Sequence, residues 1–204
     1  MTGRKALILA GTGMLASVAE ALVRDGWTVV LPCRRYHPIA VPEPRQGLAA
    51  RAALRPPGHR TTGDGSGGRA IWVEAHWDQP RELAEKAGSV LGGPADLLVA
   101  WVHEEFRGPV LAQVARLLAP GCPVVEVRGT TGAAAVPAEL SDPRPALDQH
   151  PTQLVLIGSV SELGGDRPLS HSEIAGGVLG AVRRAVDGRP PSLHRIGQTR
   201  PLVR

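Results

Sequence analysis

Between residues 5 and 33 the chain reads as an apolar run, a glycine turn, an amphipathic stretch and a second apolar run. That order leaves few folds open. Residues 5–10 are almost continuously apolar, as a strand buried on both faces is. The turn is Gly11-Thr12-Gly13-Met14-Leu15-Ala16. Across residues 15–25, Leu15, Val18, Ala19, Leu22 and Val23 fall on one helical stripe, and Gly26 follows as a stop signal. Residues 28–33 form the second strand. The unit has the length of a βαβ crossover, about 30 residues, and such crossovers are right-handed. Aromatic residues are only 3% of the chain, so the core must be built from Val, Leu, Ala and Ile.

The rest of the chain continues this alternation. Strands are expected at 70–75, 96–102, 124–128 and 153–157, with helices at 80–91, 110–118 and 170–186. Ser170 and Glu173 have capping-box spacing, and Gly188 and Pro190 stop the helix that they open. Residues 36–69 hold five prolines and a glycine-rich run, which predicts an irregular surface connection with a short helix at 48–54. A Gly/Ala/Pro-rich loop is expected over 129–151. The fold class that follows is α/β: a single doubly wound, Rossmann-type domain with a mostly parallel sheet of about six strands. The domain is expected over 1–188, with a basic C-terminal tail over 189–204.

Gly11, Gly13 and Ala16 satisfy G-x-G-x-x-A, placed between a strand and a helix. The first glycine permits the tight turn. The second lets backbone approach a pyrophosphate, and the alanine lets helix and sheet pack closely. The helix N-terminus offers N–H groups to phosphate. Gly11, Thr12, Gly13, Met14 and Leu15 are therefore the expected dinucleotide-binding turn. Where an acid at the end of the second strand would hold a ribose 2′-hydroxyl, this chain has Cys33, Arg34 and Arg35. Two guanidiniums suit the 2′-phosphate of NADP(H), which is the expected cofactor.

The formal charge is +4, carried almost wholly by arginine. No aromatic residues interleave with the basic C-terminal stretch, so a nucleic-acid partner is not expected. The first apolar run is too short for a signal or membrane segment, which points to a cytoplasmic protein without a membrane partner. Cys33 and Cys122 have no metal-ligand spacing, no metal site is expected, and both read as reduced, packed thiols.

The glycine turn, the Asp96-Leu97-Leu98-Val99 strand and the two arginines resemble the short-chain dehydrogenase/reductase superfamily, over roughly residues 5–128. Asp78, beside His76 and Trp77, lies near where members place groups around adenine. The resemblance implies an oxidoreductase with a small-molecule substrate, and a homodimer is compatible with it. This chain departs from the pattern at its catalytic core. Ala100-Trp101-Val102-His103 replaces the usual N-N-A-G, and the Tyr-x-x-x-Lys motif is absent, since Tyr36 is the one tyrosine and Lys5 and Lys86 are the only lysines. Among polar residues at predicted strand ends, His103 is the candidate acid or base, because imidazole titrates near neutrality. Its alternative is a helix-entry residue near Glu104 and Glu105. Thr131, with Thr130, is the candidate substrate-binding hydroxyl by resemblance, against a local turn role. Trp101 serves either a nicotinamide pocket or the core. Ser159 has no G-x-S-x-G elbow around it, and capping explains His171 first. Two functions remain: an NADPH-dependent reductase of a small carbonyl or imine, and an NADP(H)-binding sensor or regulatory protein without turnover.

Overall fold

The computed structural model describes residues 3–10, 13–36, 59–63, 67–129, 144–162 and 167–198. The expected βαβ unit is present: strand β1 (Lys5–Leu9), helix α1 (Ala16–Arg24) and strand β2 (Thr28–Cys33). After it come β3 (His59–Gly63), β4 (Arg69–Glu74), α2 (Pro80–Leu91), β5 (Leu97–Ala100) and α3 (Glu104–Val114). A 3-10 turn at Ala115–Leu117, β6 (Val124–Gly129), β7 (Thr152–Ile157), α4 (His171–Val186) and β8 (Ser192–Ile196) complete the order.

Eight strands form one sheet in the order β3-β4-β2-β1-β5-β6-β7-β8. Every pairing is parallel except β3 with β4. The chain thus has the doubly wound α/β fold, and the strand order reverses between β1 and β5. Alternate residues of each central strand serve opposite layers. Ala6 and Ile8 of β1 pack into the layer that includes the buried faces of α1 and α4, while Leu7 and Leu9 pack into the layer of α2 and α3. Burial on both faces explains why β1, β2 and β5 are continuous apolar runs rather than alternating ones.

Three expectations are corrected. The sheet has eight strands rather than about six, and one extra strand is His59–Gly63, inside the stretch read as an irregular connection. Its antiparallel partner supplies the pairing that the sequence His-Arg-Thr-Thr-Gly does not advertise. The other is Ser192–Ile196, inside the stretch read as a basic tail, which pairs in parallel with β7. Its burial alternates half-buried and exposed, as an edge strand's does, so the tail's arginine content was no guide. Finally, α3 begins at Glu104 rather than residue 110. Gly108-Pro109 reads as a break, yet Pro109 sits inside the helix. The suggested helix at 48–54 lies outside the described residues.

Strand β8 is fastened by Gln153, which is buried in β7. Its side-chain amide donates to the carbonyls of Arg189 (3.2 Å) and Pro190 (2.9 Å). Its Oε1 accepts from Ser192 Oγ (2.5 Å) and meets His194 Nε2 at 2.9 Å. The two carbonyls fix the amide orientation, and Oε1 can only accept, so His194 carries its proton on Nε2. Burial, and then the nearby Arg184 charge, hold the His194 pKa below its ordinary value of 6.5. The unfolded chain therefore takes up this proton first as pH falls. His194 contributes stability above about pH 6.5, which is lost as pH falls through its folded value. Melting temperature measured from pH 7.5 downward should fall more steeply in the native chain than in His194→Gln. Parallel slopes would mean that His194 titrates alike in both states.

Candidate functional site at the carboxyl edge of the sheet

In an open parallel sheet, ligands bind beyond the carboxyl ends of the strands, at the point where the strand order reverses. Here that point lies between β1 and β5. Ala10 follows β1 with φ of 69°, in the left-handed region. This turns the backbone sharply out of the sheet and into α1. Gly11 and Thr12 lie outside the described residues. Its chain neighbours apart, no atom of the described residues lies within 4 Å of where a Cβ on Gly13 would stand. Leu15 is the N-cap of α1 and is fully buried, no side chain among the described residues caps that helix end, and its first turn holds no acid. A helix N-terminus that no described side chain caps and whose first turn holds no carboxylate, beside a glycine with no described atom over its Cα, fits the phosphates of a dinucleotide.

Met14 and Trp101 are both half-buried against the α1/α4 layer, one on each side of the reversal point. Trp101 donates its backbone N–H to Leu9 O at 3.3 Å, which ties the end of β5 to β1. Two residues on, His103 is the N-cap of α3 and uses no side-chain hydrogen bond to cap it. Its imidazole is 69% exposed, with Nδ1 3.5 Å from Glu105 Oε1. Thr131 and Thr130 lie outside the described residues.

At the end of β2, Arg34 and Arg35 are exposed, and neither has an ion-pair partner among the described residues. Cys33 underpins them. Its thiol donates to Arg35 O at 3.3 Å and accepts from the Trp72 indole N–H at 2.7 Å. Tyr36 packs edge-on to Trp72, with centroids 5.5 Å apart. The phenol is therefore engaged at the β2–β4 side of the edge. Neither amine is near it: Lys5 Nζ donates to Gly92 O at 2.9 Å, and Lys86 pairs with Glu82 on α2. Cys122 is buried, and burial with the nearby Asp96 charge pushes its thiol pKa up to about 12.

Two polar clusters extend beyond what the sequence discloses, where only the Ser170–Glu173 box is expected. In β6, Glu126 is 1% exposed. Its carboxylate accepts from Arg128 Nε (2.8 Å) and from the Ala146 backbone N–H (2.8 Å), and Arg107 Nε of α3 stands 3.6 Å away. Arg128 Nη2 also donates to Arg144 O at 2.5 Å. The signal was present as a lone acid inside Val-Val-Glu-Val-Arg, because a buried charge requires partners and residue i+2 shares its face. The second cluster joins the segment after β7 to α4. Ser161 Oγ donates to Glu173, Arg167 Nη1 meets Glu173 Oε2 at 2.7 Å, and Ser170 closes the expected capping box. Arg167 first, then Ser161 and Ser170, hold the Glu173 carboxyl well below the usual carboxylate range.

No helix among the described residues is long and apolar enough to cross a membrane. No protein-family model and no curated protein matches the sequence. Solved structures do match in fold. An NADH-dependent reductase A1-R′ complexed with NAD superposes with a TM-score of 0.61 at 15% identity, over 96% of this chain and 95% of that one. A short-chain dehydrogenase from Oenococcus oeni gives 0.58 at 11% identity, over 96% of each chain. A short-chain dehydrogenase/reductase variant from Serratia marcescens gives 0.56 at 17% identity, over 95% and 96%.

Proposed function

We propose that this chain, which has the fold of the short-chain dehydrogenases/reductases, is an NADPH-dependent oxidoreductase acting on a small carbonyl or imine. The observation that carries this reading is the pair of exposed arginines, Arg34 and Arg35, at the carboxyl end of β2, on the same sheet edge as the N-terminus of α1. Gly11, Thr12, Gly13, Met14 and Leu15 would hold the pyrophosphate, the two arginines the 2′-phosphate, and Trp101 would border the nicotinamide. The bound coenzyme supplies hydride. His103 is the proposed proton-transfer group, reachable by substrate because its ring is exposed. Thr131 is the proposed substrate-binding hydroxyl.

Calorimetric titration with NADPH and NADH tests this. NADPH should bind at least about tenfold more tightly, as expected for charge-assisted contacts to one phosphate group. Arg34→Ala/Arg35→Ala should bring the two nucleotides to similar affinity. Binding of neither nucleotide would overturn the assignment.

A second reading has its own support. The phenol of Tyr36 and both lysine amines are engaged away from the point where the strand order reverses, so an NADP(H)-binding sensor without turnover fits the same edge. Substrate-dependent NADPH consumption that is lost in His103→Ala would remove the sensor. Tight NADPH binding without consumption across a carbonyl and imine panel would remove the reductase.

A further inference from the structure

A second concave opening bordered by charged residues lies at the other end of the sheet. A cavity of about 360 Å³ opens at the amino ends of the strands, bordered by Arg4, Trp27, Asp96, Pro151, Val186 and Arg189. Arg4 precedes β1, Trp27 precedes β2, Asp96 precedes β5, and Arg189 follows α4. The carboxyl edge is a strand's length away, roughly 17–20 Å for strands of five to six residues. The volume lies within the range of small-molecule sites, about 300–1,000 Å³.

We propose that this cavity is a second ligand site, for a small organic anion carrying one flat apolar ring. Charge decides the sign of the ligand. Arg4 and Arg189 are exposed, and neither has an ion-pair partner among the described residues. The groups that would favour a cation are already engaged. Asp96 Oδ2 accepts the Lys5 backbone N–H at 2.8 Å. The last turn of α4 points carbonyls this way, yet Arg183 O, Arg184 O and Ala185 O accept from the amides of Asp187, Arg189 and Gly188. Two arginines therefore border the cavity against one partly satisfied carboxylate.

Geometry decides the ligand's shape. The Arg4 guanidinium lies over the Trp27 ring, 5.4 Å from its centroid. A planar guanidinium held on an indole presents its other face as a flat plate, and such plates stack on rings. Pro151 and Val186 add apolar wall. Arg189 is rooted on rigid backbone: its N–H closes the end of α4, and its carbonyl is held by Gln153. A carboxylate directed at Arg189 would meet a donor whose root is already fixed, so less ordering is lost on binding.

The inference stands apart from the coenzyme reading, and benzoate, benzyl alcohol and inorganic phosphate test it on the full chain by calorimetry and ligand-observed NMR. Benzoate should bind saturably and about tenfold more tightly than either of the others, the loss expected for one charged hydrogen-bonding partner. Arg189→Ala and Arg4→Ala should each weaken benzoate about tenfold and leave the melting temperature of the free protein and its NADPH affinity unchanged. Benzoate binding that persists in both variants, that NADPH displaces, or that phosphate matches would overturn the proposal, as would the absence of saturable binding.

Discussion

Gly68→Ala should lower stability by about 3 kcal/mol or more, a cost in the range of forced overpacking. A Cβ at Gly68 would lie 1.8 Å from Val23 O, 2.8 Å from Val23 C and 3.2 Å from Gly26 Cα. All three are backbone atoms, so no side chain can swing aside. Gly68 is buried where the chain enters β4, and the next residue donates its N–H to Trp27 O at 3.0 Å. Relief would require pulling β4 from β2, with which it holds six paired positions in register, or lifting the end of α1. Domains of this size lose about 2–4 °C of melting temperature per kcal/mol, so thermal unfolding should show a drop of roughly 10 °C. Gly180→Ala is the control. That glycine lies in α4 with φ outside the left-handed region and nothing within 4 Å of a built Cβ. The same substitution there should stabilise by about 0.5–1 kcal/mol through helix propensity. Equal melting temperatures for Gly68→Ala and the native chain would mean that β4 and α1 do not approach as described.

Gly68 also marks the limit of what the sequence discloses. In Gly63-Asp64-Gly65-Ser66-Gly67-Gly68 nothing distinguishes the last glycine, because the atom that excludes a side chain there belongs to residue 23. Where the deciding contacts are local, the sequence discloses the element. α2 spans the expected 80–91, begun by a proline at its first turn and ended by Gly92 in the left-handed region. α4 opens on the expected Ser170–Glu173 box. β1, β2 and β5 are legible because burial on both faces leaves an unbroken apolar run. The edge strands β3 and β8 are not, because His-Arg-Thr-Thr-Gly and Ser-Leu-His-Arg-Ile are rich in polar residues, and only the neighbouring strand supplies the pairing. The carboxyl-edge site divides in the same way. The glycine turn and the Arg34-Arg35 pair are each a contiguous stretch of sequence, so a candidate dinucleotide site can be read there without the fold. Glu126 is held by groups at Arg107, Arg128 and Ala146, which only the fold brings together.

That cluster gives the other large expected effect. Arg128→Ala should cost about 3 kcal/mol, the lower end of the loss when one partner of a buried ion pair is removed. The carboxylate of Glu126, 1% exposed in the native chain, would keep the Ala146 N–H at 2.8 Å and Arg107 at 3.6 Å. Those two are why the lower end applies. Arg107 is already shared with Glu104, whose Oε1 it meets through Nη2 at 2.5 Å, so it cannot replace Arg128 without giving up that contact. The loss should also be local before it is global. Arg128 reaches Arg144 O while Glu126 holds Ala146 N, so the pair fastens the returning end of the β6–β7 connection to β6. Hydrogen exchange at the Ala146 amide should therefore rise in Arg128→Ala by more than the change in global stability accounts for. The double variant Glu126→Leu/Arg128→Leu separates charge from shape. With no buried charge left to solvate it should regain much of the stability that Arg128→Ala loses, since apolar replacement of a buried pair is often close to neutral. The Ala146 amide, having lost its acceptor, should nevertheless stay fast-exchanging. If the double variant is no more stable than Arg128→Ala, the penalty lies in packing around Arg128 and not in an unpaired carboxylate.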